Sequence, residues 1–520
     1  MQSLKEFSKY SNIRLSAELS KAVDLNAISL GISEAQMMEN SGSAVAEFVK
    51  NINKSNKKIF VFCGIGGNGG DGMVCARHLA TYFDTNIILI GSEEQIVNQT
   101  TLLNYRILKH LKTISFKNVD EALDLIKNYD SIIIDAIYGI GFHGRVNKNT
   151  KKLILKLNEL KNNLNRMVIS VDVPSGVSIS ERKNHNAVNA DYTITFYKMK
   201  DFLSECKNAG KIIVRDIGIP IDAELLTGDG DIFLATKEKS INSNKYTNGS
   251  VLIIGGNAVY HGAPISAATS TQNAIASLRT SIGYVTLLLP KNIENIARSL
   301  SKNLIIQTFD NKLSISDIKR IDNIKHNVTI IGPGLDTDEH TLKIISKIIE
   351  TEISKKRKVI VDAAAIRIFN KYIKNKSSNK IFENIILTPH LGEFQLLVNK
   401  NLKNISLNER INLAISTAKK LNATIILKGN TTIITNGKLL KINFAETPTL
   451  ATMGSGDVLD GIIAAYLANG VDPFRSATAA VYLHSKIGDE LFKLKGMHII
   501  ADDIIDMIPQ ILKKYDKIKY

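Results

Sequence analysis

A chain of 520 residues is too long for one compact core and implies roughly two to four folding units; 44% hydrophobic against 22% charged residues is a globular mixture, and no apolar run reaches the length of a membrane span. The net charge of +16 invites a nucleic-acid reading, but the lysines lie scattered in separate polar segments (NKSNKK, SKKRK, KKYDKIKY) without interleaved aromatics or an RRM, KH or helix-turn-helix signature. They read as solvated helix faces that attract anionic small ligands rather than nucleic acid. Three cysteines cannot build a disulfide framework, and without C-x-x-C or H-E-x-x-H a zinc site has no support. The opening segment MQSLKEFSKYSNIRLS carries charges throughout and no apolar h-region, which predicts a cytoplasmic protein.

From the first quarter onward short β-branched runs alternate with helical patterns, the mark of βαβ units and parallel sheets. The first half offers KIFVF, TNIILIG, SIIIDAIYG, MVISVDVP, DYTITF and KIIVRDIGIP as strands. After the first of them, VFCGIGGNGGDGM contains G-x-G-x-x-G (Gly64, Gly66, Gly69) and leads into MVCARHLATYF, a predicted helix. Such a loop can bring backbone N–H groups and a helix N-terminus to phosphate, or can simply be a tight turn capped by Asp71. It lacks the G-K-[ST] ending of a P-loop, and it places Asn68 and Asp71 among glycines where a dinucleotide turn needs chiefly small residues. Cys63, just before it, reads as a buried structural thiol.

Other strands of this half deliver Asp135, a glycine turn followed by Arg145, Asp172, Ser175 and Lys198 to their carboxyl ends, where ligands of open α/β sheets bind. Asn68, Asp135 and Ser175 are hard oxygen donors suited to an alkali or alkaline-earth cation. Singly, Asp135 could be a helix cap, Ser175 a turn residue and Arg145 a surface cation.

The segment AELLTGDGDIFLATKEKSINSNKYTNG breaks the alternation, so the domain boundary is expected near residues 225 to 240. Beyond it the predicted strands are SVLIIGG, YVTLLLP, NVTIIGPG, KVIVDAAA, NIILTPH and ATIILKG. In LATMGSGDVLDGIIAAYLANG, Val458, Leu459, Ile462, Ile463, Tyr466 and Leu467 form a helical stripe and Gly470 sits at its expected end. Gly454, Ser455 and Gly456 then open a helix whose free N–H groups form an anion hole. Asp457 beside it is placed to take a proton from a hydroxyl, or to act as an N-cap. Thr388-Pro389-His390, Glu393 and Lys428 lie at neighbouring strand ends.

Taken together, MENSG (38 to 42), CGIGGNGGDG, DAIYGIGFHGR, SVDVPSG and DIGIP, followed by IGGN, IGPGL, TPHLGE, LKG and MGSGDVLDG, resemble the bifunctional NAD(P)H-hydrate repair family over nearly the full length. That resemblance implies a Rossmann-like three-layer α/β domain with NAD(P)HX epimerase activity (1–228), then a ribokinase-like α/β domain with ADP/ATP-dependent NAD(P)HX dehydratase activity (229–520). It implies that Gly67, Asn68, Gly69, Gly70 and Asp71 hold the hydrated dinucleotide with Gly139, Ile140, Gly141, Phe142, His143, Gly144 and Arg145. Asn68, Asp135 and Ser175 would hold a potassium ion, and Asp172 would give acid/base help at the nicotinamide, with Lys198 a weaker candidate.

In the second domain it implies hydrate contacts from Ala263, Gly334, His390 and Asp457. Nucleotide contacts would come from Lys428, Gly429, Asn430, Thr431, Thr432 and Gly456, with Asp457 the catalytic base and magnesium on the phosphates. The chain departs from the family pattern at Gly67 (usually Asn), at Met453 and Ser455 in the G-G-T-G-D loop, and at Thr447 before Pro448 (usually Asn). A homo-oligomer acting on NADHX, NADPHX and ADP or ATP is expected. Two other readings stay open: a small-molecule hydroxyl kinase fused to a nucleotide-binding module, and an RNA-binding scaffold whose loops only sense nucleotide.

Overall fold

The computed structural model describes residues 4–142, 144, 146–177, 186–256, 272–370 and 382–519. They form two compact units, one of residues 12–223 and one of residues 224–520 with residues 1–11.

In the first unit seven strands, β1 (Lys58–Cys63), β2 (Thr85–Leu89), β3 (Ile114–Phe116), β4 (Ser131–Ala136), β5 (Met167–Val171), β6 (Tyr192–Phe196) and β7 (Lys211–Arg215), build one parallel sheet. Their order is β3-β2-β1-β4-β5-β6-β7. Alternation along β1 explains the three layers. Ile59, Val61 and Cys63 pack with Val45, Val49 and Met73 of the helices Glu34–Ile52 and Gly67–Leu79. Phe60 and Phe62 face the other way, onto Leu123 and Ile126 of Val119–Asn128 and Leu153, Ile154 and Leu157 of Lys148–Leu164. Both faces are covered, as an all-parallel sheet requires.

The second unit holds β9 (Ser250–Ile254), β10 (Tyr284–Pro290), β11 (Ile305–Phe309), β12 (Val328–Ile331), β13 (Lys358–Val361), β14 (Ile385–Leu387), β15 (Thr424–Leu427), β16 (Thr431–Thr435) and β17 (Leu440–Phe444). Their order is β11-β10-β9-β12-β13-β14-β15-β16-β17, parallel up to β15 and antiparallel through the last two pairs. A separate parallel pair joins β8 (Lys239–Ser240) to β18 (Ile518–Lys519). The helices Ser455–Ala468 and Pro473–Lys495 carry much of the main core, with Val458, Ile462, Ala480 and Leu483 wholly or almost wholly buried.

Each sheet reverses its strand order at one place, between β1 and β4 and between β9 and β12. Connections leave in opposite directions there and open a crevice at the carboxyl ends. The helix that follows β1 starts in the first crevice, and the turn Gly332-Pro333-Gly334 that follows β12 sits in the second.

Candidate active sites

In the first unit the helix Gly67–Leu79 begins with no side chain capping it, so its first N–H groups stay free for an anion. The glycines divide by surroundings. A Cβ on Gly69 would lie 1.8 Å from the Gly64 carbonyl oxygen, whereas Gly66 and Gly67 face open space. Thus Gly64 and Gly69 let helix and strand end meet, and Gly66 and Gly67 leave room for a ligand. Gly70 lies against Met38, and a Cβ there would be 2.5 Å from its sulfur. Glu39 of the same MENSG segment pairs with Arg77 and His78 of the helix, and Asn40 donates to the Ile217 carbonyl at 2.8 Å.

The three proposed cation ligands meet around the loop that follows β4. Asp135 is fully buried; its carboxylate accepts from the Ser170 hydroxyl at 2.8 Å, the Ser175 N–H at 2.8 Å and the Ser175 hydroxyl at 2.5 Å. Burial still pushes its pKa above the usual range against those bonds. Ser175 Oγ in turn accepts from the Tyr138 N–H at 2.8 Å. Asn68 abuts the same loop, since a Cβ on Gly139 would lie 3.2 Å from its Oδ1. Both polar atoms of the Asn68 side chain are buried without a hydrogen-bond partner among the described residues, beside a buried carboxyl.

Asp172 follows β5 with φ at +63°, a left-handed turn that Asp tolerates. Its carboxylate accepts from the Ile140 N–H at 3.0 Å and the Thr195 hydroxyl at 3.3 Å. The buried Lys200 ammonium stands 3.8 Å away, while Lys198 donates to the Asn12 carbonyl at 2.7 Å. Lys200 is therefore the lysine at Asp172. Asp24 and Asp71 lie in the same acidic environment: burial, opposed by Lys200 and Lys21, pushes Asp24 up to about 6, and burial with Asp172 and Asp24 holds Asp71 well above the carboxylate range. Phe142 stacks on Tyr138 at 4.0 Å between Gly141 and Gly144. His143 and Arg145 lie outside the described residues.

In the second unit Gly454 caps the helix Ser455–Ala468 at φ +85°, again with no side-chain cap. A Cβ there would sit 2.2 Å from the Gln272 amide oxygen. The Ser455 hydroxyl meets Nε2 of His484 at 3.1 Å, and burial lowers that imidazole to about 4, so it is neutral at physiological pH. Asp457 lies in the first turn and accepts from the Asn273 amide at 3.1 Å. Burial, and then the Asp362 charge, push Asp457 up to about 7 despite Asn273 and Lys428.

Lys428, at the end of β15, forms an ion pair with Asp362 at 2.9 Å, and Asp362 also accepts from the Thr388 hydroxyl at 2.9 Å. Burial opposes this pairing, but Lys428 and Thr388 outweigh it and hold Asp362 below the ordinary carboxylate range. The ammonium also lies 3.5 Å from where a Cβ on Gly456 would be, directly beside the helix start. The turn after it is tied by the Thr432 hydroxyl donating to the Gly429 carbonyl at 3.0 Å and by the Asn430 side chain accepting from the Thr431 N–H at 2.9 Å.

His390 caps the helix Leu391–Val398, its Nδ1 accepting from the Gly392 and Glu393 N–H groups at 3.0 and 3.2 Å. Nε2 stands 3.6 Å from a Glu393 carboxylate oxygen, on a side chain 61% exposed. A backbone bond from Lys428 N–H to the Pro389 carbonyl at 2.8 Å joins this segment to β15. Gly334 closes the turn after β12 at φ +70°, and Ala263 lies outside the described residues.

Sequence reasoning passed over Lys200, Asp24, Asn273, Asp362, Asp460 and His484. One signal was present: Asp362 directly follows the run KVIV as Asp172 directly follows MVISV, both at carboxyl ends of parallel strands.

Comparison with known proteins gives the family of the chain. A family profile described as NAD(P)H-hydrate dehydratase matches residues 251–510, and one described as YjeF-related protein N-terminus matches residues 34–202. The chain is 32% identical to the bifunctional NAD(P)H-hydrate repair enzyme of Methanothermobacter thermautotrophicus over 94% of each chain. It is 34% identical to that of Methanocaldococcus jannaschii, covering 94% of this chain and 92% of the relative. Among solved structures it is similar to an ADP/ATP-dependent NAD(P)H-hydrate dehydratase from Bacillus subtilis co-crystallized with ATP and Mg2+, at 24% identity, TM-score 0.45, 55% of this chain and 96% of that one.

The protein is thus a two-module α/β metabolite-repair enzyme, an isomerase joined to a lyase. It belongs to the bifunctional NAD(P)H-hydrate repair enzymes, with an NAD(P)H-hydrate epimerase module and an NAD(P)H-hydrate dehydratase module.

Proposed function

We propose that the first unit interconverts the R and S hydrates of NADH and NADPH around Asp172, and that the second returns the S hydrate to NAD(P)H with Asp457 as base. The observation that carries the reading is Asp457: a carboxyl pushed up to about 7, in the first turn of an uncapped helix. Hydroxide is a poor leaving group, because the pKa of water is about 15.7. Phosphorylation removes that obstacle. Asp457 takes the proton of the substrate hydroxyl as its oxygen attacks the terminal phosphorus of ADP or ATP. The N–H groups at Gly454 to Gly456 and the Lys428 ammonium meet the charge of the transferring phosphoryl group. Phosphate then leaves with its C–O bond electrons, the ring nitrogen supplies the replacing pair, and loss of a ring proton restores the dihydropyridine. With ADP the products are AMP and phosphate.

The turn Lys428 to Thr432 is the nucleotide's place in this reading, with Gly334, His390 and Ala263 toward the hydrate. Magnesium would be bound chiefly by the nucleotide's phosphates, as is usual for this ion, and would neutralise their charge. In the first unit Gly67 to Asp71 and Gly139 to Arg145 hold the dinucleotide, and Lys200 orients Asp172. Potassium fits the Asn68, Asp135 and Ser175 oxygens: the Asn68 carbonyl has no other partner among the described residues, and Asp135 brings one negative charge. Bound there, it would supply positive charge next to the substrate's phosphates. A working place in the cytoplasm follows from the substrates, and a homo-oligomer is the expected assembly; sizing by light scattering tests the latter. Among the described residues no helix is long and apolar enough to cross a membrane.

The test is the return of NADH absorbance from an R/S mixture of NADH hydrate incubated with ADP, with ATP and with neither, in potassium and in a potassium-free buffer. Full, nucleotide-dependent conversion is expected, with the second half of the amplitude slowed when potassium is removed. A phosphorylated product that accumulates would instead identify a hydroxyl kinase.

A further inference from the structure

One buried carboxyl beside the second site has no part in the steps above. Asp460 is 0% exposed and lies three residues on from Asp457, on the same side of its helix. Neither of its oxygens finds a donor among the described residues. The group that acts on it most after burial is the Asp362 carboxyl, an acceptor like itself when ionised, so the two can bond only through a proton. Two carboxyls can share a bond only when one keeps its proton. Lys428 and Thr388 hold Asp362 ionised, so the proton resides on Asp460. Burial and the Asp362 charge act on Asp460 in the same direction, Asp457 adds to them, and Lys428 alone opposes. Glu393 and the neutral His484 bear on the cluster through Lys428.

We propose that Asp460 is a positioning residue for phosphoryl transfer: as a neutral carboxylic acid it donates a hydrogen bond to Asp362 and so fixes the Asp362–Lys428 pair beside Gly456. The proposal rests on the reading of Asp457 as base. Lys428 has a long, flexible stem, and an ammonium displaced by an ångström loses much of its effect on a transition state. Asp362 is its tether, and Asp460 is the donor on the side of Asp362 that faces the helix.

The experiment uses the full chain with S-NADH hydrate and ADP, comparing Asp460→Ala, Asp460→Asn and, as a control, Asp457→Asn. The thermal midpoint checks that each variant is folded. Asp460→Ala is expected to lower dehydratase kcat about tenfold or more and to raise the nucleotide KM. Asp460→Asn, whose amide still donates to Asp362, is expected to restore turnover to within about threefold, with the acid limb of the kcat profile where the parent has it, because no charge has been removed. Asp460→Asn as impaired as Asp460→Ala, or an acid limb shifted to lower pH through loss of an anionic neighbour, would overturn the proposal. If Asp457→Asn keeps full turnover, the base assignment fails first and this proposal falls with it.

Discussion

Both units begin a helix at a glycine with no side chain to cap it, yet they surround the free N–H groups differently. At Gly66 the neighbours are oxygens: Asn68, whose amide has no partner among the described residues, and Asp135 tied into serine hydroxyls, with Asp172 further round the strand ends. At Gly454 the neighbour is an ammonium, Lys428, held by Asp362, with a carboxyl on the helix itself raised toward neutrality. An anion docks at either start. Among the described residues the second start has an ammonium and a raised carboxyl directly beside it, the pair that transferring a phosphate, as opposed to binding one, would require.

The largest expected effect comes from exchanging the acids for amides. Asp457→Asn should lower dehydration by about a hundredfold or more and spare epimerisation, while Asp172→Asn, which keeps a residue tolerant of positive φ, should do the reverse. Separate assays of the two reactions decide it; loss of both activities in one variant with unchanged thermal midpoint would mean that the two sites are not independent.

A smaller effect sharpens the electrostatic contrast. A base must be ionised to accept a proton, and Asp457 is pushed up to about 7, so dehydratase kcat should fall on the acid side of that value and level off above it. A profile flat down to pH 5.5 would remove Asp457 as the base.

The smallest effects concern the glycines. Gly69→Ala forces a Cβ onto the Gly64 carbonyl and should destabilise the first unit by about 1–3 kcal/mol, whereas Gly66→Ala, facing open space, should stay within about 0.5 kcal/mol. Gly454→Ala, at φ +85°, should cost the second unit about 1–2 kcal/mol. Urea unfolding of each variant measures all three.

Most of the architecture was legible because parallel strands buried on both faces write continuous β-branched runs. The strands that escaped notice have weaker signals. β3 and β11 are edge strands, with Ser115 and Phe116 exposed in one and Ile305 exposed in the other, so neither carries a fully apolar pattern. The hairpin β16–β17 is absent from the predicted strands although its turn carries Asn436-Gly437, a short-range hairpin signal, because a parallel βαβ alternation offers no place for an antiparallel pair. At the sites, glycine loops and strand-end acids were readable because local chain geometry places them. Lys200 at Asp172, Asp362 at Lys428 and Asn273 at Asp457 were not, because partners 28, 66 and 184 residues apart meet only once the sheets are assembled. Lys198, the weaker candidate in TFYKMK, donates to the Asn12 carbonyl, while Lys200 stands at Asp172, and nothing in that hexapeptide singles out Lys200.

Two self-contained cores on a single polypeptide also fix a ratio. Every copy translated brings one isomerase and one lyase, so the capacity to clear both epimers of a damaged coenzyme rises and falls with a single expression level. A cell with separate enzymes could make too little isomerase and let the R form accumulate behind an adequate supply of lyase; a cell with this chain has no such imbalance to regulate.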